Sequence, residues 1–148
     1  KMIIAVDFDG TIVTHEYPNI GKEIPFAIAT LKKIQEDFHY RLILWTVREG
    51  EKLEEAVEFC RKRGLEFYAV NANYPEEKPE HQEPRKINAD LFIDNSNLGG
   101  LPDWGVIYQM IASEQQHNLE ALFSPYAGKD LINPKKGKKK GFFKSIFG

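Results

Sequence analysis

The stretch Ile3-Ile4-Ala5-Val6-Asp7-Phe8-Asp9-Gly10-Thr11, IIAVDFDGT, decides how the rest of the chain is read. Four apolar residues, three of them β-branched, run without a break into two carboxylates one residue apart, and a glycine follows. Such a run suits a strand covered on both faces, as in a parallel sheet. In open parallel sheets ligands bind beyond the carboxyl ends of the strands. Asp7 and Asp9 stand at that end, and on an extended segment they point to the same side. Crowding two acids is costly unless something positive neutralises them. A magnesium ion does so, because it takes oxygen ligands from one or two carboxylates plus a substrate phosphate. Gly10 permits the tight turn that sets the second acid over the site.

Working outward, the pattern breaks at residues 10–23 into a polar loop containing Pro18 and Gly21. Pro25 suits the first position of a helix, and Ile24, Ile28, Leu31, Ile34 and Phe38 recur at steps that give one apolar face. Residues 40–45 (YRLILW) read as a second strand ending at Thr46. A helix is expected over residues 51–63, with Leu53, Ala56, Val57 and Cys60 facing inward. Its acids lie early and Arg61, Lys62 and Arg63 late, which matches the helix dipole, and Gly64 is a natural stop. Residues 67–70 form a third strand, residues 71–86 with three prolines a loop, and residues 90–94 (DLFID) a fourth strand. After Gly99-Gly100, Pro102 and Asp103 introduce a helix through Ile107, Met110 and Ile111. Strands alternating with helices predict a three-layer α/β/α, Rossmann-like parallel sheet with helices on both faces.

The bulk numbers agree. At 148 residues the chain is one domain's worth, long enough to bury a real core. Its 42% hydrophobic and 28% charged content exclude a disordered or membrane-embedded protein. The opening apolar run is too short for a signal peptide or a membrane span. Cys60 is the single cysteine, so no internal disulfide forms, which fits the reducing cytoplasm. On the inner face of its helix it is a small core residue rather than a redox centre. Residues 135–148 hold six lysines and no acids, which leaves residues 1–134 with 14 basic and 22 acidic side chains. An acidic body argues against broad nucleic-acid binding.

With VDFDGT closing the first strand, LILWT the second, and RKINADLFIDN carrying a lysine just ahead of an acidic strand end, the chain resembles the haloacid dehalogenase superfamily of phosphohydrolases. The four motifs of that family stand here in order from Asp7 to Asp94. The resemblance implies a magnesium-dependent phosphatase working through an aspartyl-phosphate. In that reading Asp7 is the nucleophile and a metal ligand. Asp9 is the general acid and base, its backbone carbonyl also touching the metal. Thr46 donates a hydrogen bond to a phosphoryl oxygen. Lys86 holds Asp7 and offsets charge on the transferring group. Asp94 completes the metal site, and Gly10 lies against the substrate. One departure stands out: many members carry two adjacent acids at the last motif, and here Asn95 follows Asp94. Whether Asn95 or Asn97 joins the metal shell stays open.

Other readings stand beside these. DFDG alone would also suit the three-aspartate loop of RNA polymerases, but that loop needs a third acid where this chain has Thr11. Lys86 competes with Arg85 and fits the spacing better. Asp90 lies at the far end of its strand from Asp94, roughly 13 Å away at ~3.3 Å per residue, and is structural. His15, in the loop that is a mobile flap in the resembled family, either reads the leaving group or is a solvent-exposed histidine. Arg48, two residues past Thr46, is the best candidate for meeting a second substrate anion.

The gaps between the motifs are too short for a cap domain, so the expected enzyme is capless, with an open site. An open site suits a large substrate, or a second copy of the chain supplies the lid. Residues 1–123 are expected to form the hydrolase domain and residues 124–148 an extension. In its tail Phe142, Phe143, Ile146 and Phe147 fall on one helical face beside the lysines. That turn docks on an acidic body or, less favoured, sits on an anionic membrane. Two rival functions remain: a non-catalytic phosphate-binding or scaffolding module, and phosphoryl transfer to an acceptor other than water.

Overall fold

A computed structural model describes residues 2–77 and 87–123, the side chains of 117–123 excepted. Lys86, Arg85 and the whole extension with its Lys/Phe tail lie outside the described residues.

The opening run forms β1 (Ile3–Val6), as its continuous apolar character requires. The chain continues through α1 (Ala27–Phe38), β2 (Arg41–Leu44), α2 (Gly50–Lys62), β3 (Ala69–Val70), β4 (Leu91–Ile93) and α3 (Trp104–Phe123). The four strands make one sheet in the order β3-β2-β1-β4, and every pairing is parallel. This is the α/β, Rossmann-like architecture that the alternation of strand and helix predicts.

Register follows from burial. Ile3 to Val6 of β1 pair with Arg41 to Leu44 of β2, and Ile4, Ala5, Val6, Leu42, Ile43 and Leu44 are all buried. Successive side chains alternate between faces, so both faces of this central pair are covered. One face gathers Ala5, Ile43, Ala69, Ala72 and Ile87, with Trp45 and Tyr68 packed against them. Each buried Ile or Leu contributes about 1.5–3 kcal/mol, which makes the central pair the anchor of the fold. The outer strands are different. β3 is only two residues long, and Phe92 of β4 is exposed, as an edge strand allows.

Two boundaries depart from expectation, the start of the first helix and that of β3, which begins at Ala69 and not at Phe67. The first helix begins at Ala27, two residues after Pro25. Ile24 is held by its amide on the Ile12 carbonyl, and the chain must turn through Phe26, at φ 67, before it can wind into the helix. The last helix runs on to Phe123, well past Ile111. Along it Ile107 and Ile111 are buried while Val106 and Met110 are exposed. The chain divides into two compact units, Lys1–Gly105 and Val106–Gly148. No helix among the described residues is long and apolar enough to cross a membrane.

Candidate active site

The strand order reverses between β1 and β4, which is where an open parallel sheet leaves a crevice for a ligand. Asp7 and Asp94 leave the sheet side by side at that point. The Asp7 amide donates to the Ile93 carbonyl at 3.0 Å, extending the ladder one residue beyond β1. Asp94 turns back on itself, its Oδ1 accepting the Ser96 amide at 2.8 Å. Burial pushes the Asp7 carboxyl up to about 6, the Phe8 amide opposes the rise, and the Asp94 and Asp9 charges add to it. His15, exposed in the loop after β1, is near enough to pull the other way. The structure thus brings Asp7, Asp9, Asp94 and His15 into one electrostatic neighbourhood.

Behind Asp7 the chain folds on itself. The Phe8 carbonyl accepts the amides of Thr11, Ile12 and Val13, which turns the strand sharply. Gly10 sits at φ 82 inside this turn, and a Cβ there would come within 2.6 Å of Asn95 Nδ2. Asn95 fastens the first and last motifs together. Its amide donates to Thr11 Oγ1 at 3.1 Å, and the Thr11 hydroxyl donates to Asn95 Oδ1 at 3.2 Å. Buried Trp104 adds an indole N–H to the Thr11 carbonyl at 3.2 Å. The asparagine oxygen is therefore engaged by Thr11, and a neutral side chain here spares Asp7 another like charge. Asn97 points its Nδ2 back at the Phe92 carbonyl, 3.5 Å away.

Thr46 follows β2, and Asn71, in the left-handed region at φ 48, reaches across from the end of β3 to hold it. Asn71 Oδ1 accepts the Thr46 amide at 2.8 Å, and Asn71 Nδ2 donates to the Arg48 carbonyl at 3.3 Å. The Thr46 hydroxyl accepts the Arg48 amide at 3.1 Å. An accepting hydroxyl keeps its proton for donation, so Thr46 can serve a phosphoryl oxygen from this position.

Arg48 is placed against the expectation that it meets a substrate anion. Its side chain is fully buried, and Nε and Nη2 each donate to one oxygen of Asp9 at 2.7 Å. Its remaining N–H groups go to main-chain carbonyls. No donor is left over for a phosphate. Asp9 is correspondingly turned into this ion pair, with both carboxylate oxygens engaged. Asp90 sits at the entrance to β4, its Oδ2 accepting the Ile3 amide at 2.7 Å, at the end of the strand opposite Asp94. Burial pushes the Cys60 thiol up to about 12, which leaves it inert. Among the described residues no group of three or more His, Cys, Asp or Glu side chains is gathered to hold a metal.

Sequence reasoning missed three positions that shape the site: Thr11, Asn71 and Trp104. Only Asn71 carried a signal, as an asparagine directly after a strand, where a left-handed turn is tolerated.

No family model and no curated protein matches the chain. Among solved structures it is similar to a conserved protein from Bacteroides thetaiotaomicron, at 64% identity and a TM-score of 0.71. The match covers 76% of this chain and 91% of that one.

Proposed function

We propose that this chain, a member of the same family as that conserved Bacteroides thetaiotaomicron protein, is a magnesium-dependent phosphohydrolase that cleaves phosphate monoesters through Asp7. The observation that carries the reading is the pairing of Asp7 with Asp94 at the reversal of strand order, fixed by the Asp7 amide on Ile93. Two carboxylates at that crevice, one of them raised chiefly by burial and further by its acidic neighbours, make a donor set suited to a hard cation. With the Asp9 carboxylate committed to Arg48, its contribution to such a site is the main-chain carbonyl. Magnesium bound there would offset the charge of the phosphoryl oxygens.

The residues then divide the work. An Asp7 oxygen attacks phosphorus, and the bond to the leaving oxygen breaks as a P–O bond to Asp7 forms. Thr46 donates to a phosphoryl oxygen, and Lys86 has the role the resemblance implies. Asp9 protonates the leaving oxygen and later takes a proton from the attacking water, which releases phosphate and restores the Asp7 carboxylate. That work requires one Asp9 oxygen to come free of Arg48.

The connections between the motifs hold α1, α2 and the strands, which supports a capless enzyme acting on an exposed phosphate. Its partner is a phosphorylated substrate, and a second copy of the chain is the candidate lid. The single buried cysteine supports a cytoplasmic setting.

Turnover of an aryl phosphate with and without magnesium tests the proposal. Asp7→Asn is expected to lower kcat by more than roughly a thousandfold while the fold persists. Unchanged turnover in that variant refutes it. A second reading, a non-catalytic phosphate-binding module, is favoured by one observation, the engagement of both Asp9 oxygens by Arg48. Trapping beryllium fluoride on Asp7 separates the two, because a site unable to form the acyl phosphate does not organise that mimic.

A further inference from the structure

A guanidinium has five N–H groups, and Arg48 spends all five inside the protein. Two go to Asp9. Nη2 also donates to the Asn19 carbonyl at 2.9 Å, and Nη1 donates to the carbonyls of Pro18 and Lys52, each at 3.3 Å. The flat cation lies 5.3 Å from the buried Phe8 ring and 5.0 Å from the Tyr17 ring, so aromatic faces hold it as well. Pro18, Asn19 and Tyr17 belong to the flap after the first motif, and Lys52 to the first turn of α2.

We propose that Arg48 is a positioning residue that fastens the flap to Asp9, so that the orientation of the Asp9 carboxylate and the closure of the flap are one event. The chemistry of the guanidinium argues for coupling rather than mere filling of space. Its planar fork fixes both carboxylate oxygens in one orientation. The same Nη2 that holds Asp9 Oδ1 holds the flap at Asn19. Rotating the fork away from Asp9 therefore releases the flap carbonyls, and lifting the flap strips Arg48 of the Pro18 and Asn19 carbonyls that keep its fork aligned on Asp9. A substrate that draws an Asp9 oxygen toward its leaving group would loosen the flap by the same movement.

Amide hydrogen exchange on the full chain tests this without any need for turnover, so a chain that hydrolyses nothing still decides it. The flap offers three hydrogen-bonded reporters: the amides of Thr14 on the Lys22 carbonyl, Asn19 on the Glu16 carbonyl and Lys22 on Thr14 Oγ1. The Tyr68 amide, on the Leu42 carbonyl, reports the sheet. Asp9→Asn keeps the shape of the side chain and removes its charge. It is expected to speed exchange at the flap reporters by about tenfold or more while Tyr68 stays protected. Arg48→Met should do the same, and Arg48→Lys should return part or all of the protection. Flap protection at the wild-type level in Asp9→Asn overturns the proposal, as does Arg48→Lys exchanging as fast as Arg48→Met. Should Arg48→Met lose protection at Tyr68 as well, it is unfolded, and Asp9→Asn decides alone.

Discussion

Asp7 meets three influences that raise its pKa: burial, Asp94 and Asp9, in that order, with the Phe8 amide outweighing either charge in the opposite direction. Its folded value of about 6 lies above the ordinary 3.8, so the folded state holds a proton that the unfolded chain has already lost. The sign follows from linkage. The stability contributed by protonated Asp7 is fully present below pH 3.8 and is lost as pH rises through about 6. Asp7→Asn should therefore match the wild type near pH 4 in a chelator and unfold at a higher temperature than the wild type at pH 7.5. Thermal melts across that range check it, and a gap that stays constant with pH contradicts it. Adding magnesium at pH 7.5 should raise the wild-type midpoint and leave that of Asp7→Asn in place. Gly10 is constrained from two directions at once. An alanine there meets both the φ of 82° and the Asn95 amide, and about 2 kcal/mol of stability is expected to go. Urea unfolding of Gly10→Ala with and without Asn95→Ala apportions the loss. Recovery of part of it in the double variant identifies the contact, and strict additivity assigns everything to the backbone.

Elements differ in how plainly they announce themselves. β1 and β2 were legible because a strand buried on both faces must be apolar, and IIAV and LILW are, with Arg41 exposed only at the entrance to β2. β3 is an edge strand paired only through Ala69 and Val70, and its neighbours Phe67 and Tyr68 carry no mark that pairing stops short. Pro25 suggested a helix start because its ring suits that position; nothing local revealed that Ile24 is pinned to Ile12 and that Phe26 must turn left-handed first. In the site, the acids that follow strands were legible from the strands themselves. The partner of Arg48 was not, since Asp9 is 39 residues away and an arginine beside Thr46 suits a phosphate equally well. Asn71 shows what such long-range contacts contribute. It joins the end of β3 to the loop that carries Thr46, through a turn that asparagine tolerates and most residues do not. Asn71→Gly keeps the turn but deletes both side-chain bonds, leaving the Thr46 amide short of its partner. A loss of about 1–2 kcal/mol in chemical denaturation is expected. The kcat of an aryl phosphate should fall more than its KM rises, because in the proposed mechanism Thr46 works on the transferring group. A raised KM with kcat unchanged would place Asn71 in binding alone.

At the scale of the molecule, the field and the rim of the site pull on a substrate in different ways. The 14 basic and 22 acidic side chains of residues 1–134 give that body a net −8, which repels a phosphate dianion approaching from a distance. At ~0.1 M salt this repulsion is screened beyond roughly 10 Å, so recognition falls to contacts made close to the crevice. With Arg48 fully engaged by Asp9 and the flap, the side chain expected to supply a second positive contact is not available there. What the loops leaving the sheet do offer is apolar surface. Tyr17 follows β1, Val47 follows β2, Tyr74 follows β3 and Leu98 follows β4, and all four are exposed. Val47, adjacent to Thr46, is 92% exposed, and Leu98, four residues past Asp94, is fully so. Isolated exposed apolar side chains are ordinary, but here one follows each strand, and in the proposed reaction the leaving group projects from that carboxyl edge of the sheet. A leaving group with an aromatic or aliphatic body can cover these side chains, and a small polyol cannot. Val47→Ser and Leu98→Ser should each lower kcat/KM for naphthyl phosphate by about tenfold, the scale of leaving part of one aliphatic contact unmade. The same variants should leave glycerol phosphate within about twofold, because a small polyol makes little apolar contact to lose. A parallel fall on both substrates would mean that the substitutions disturb Thr46 or Asp94 and that the rim plays no part in choosing the substrate.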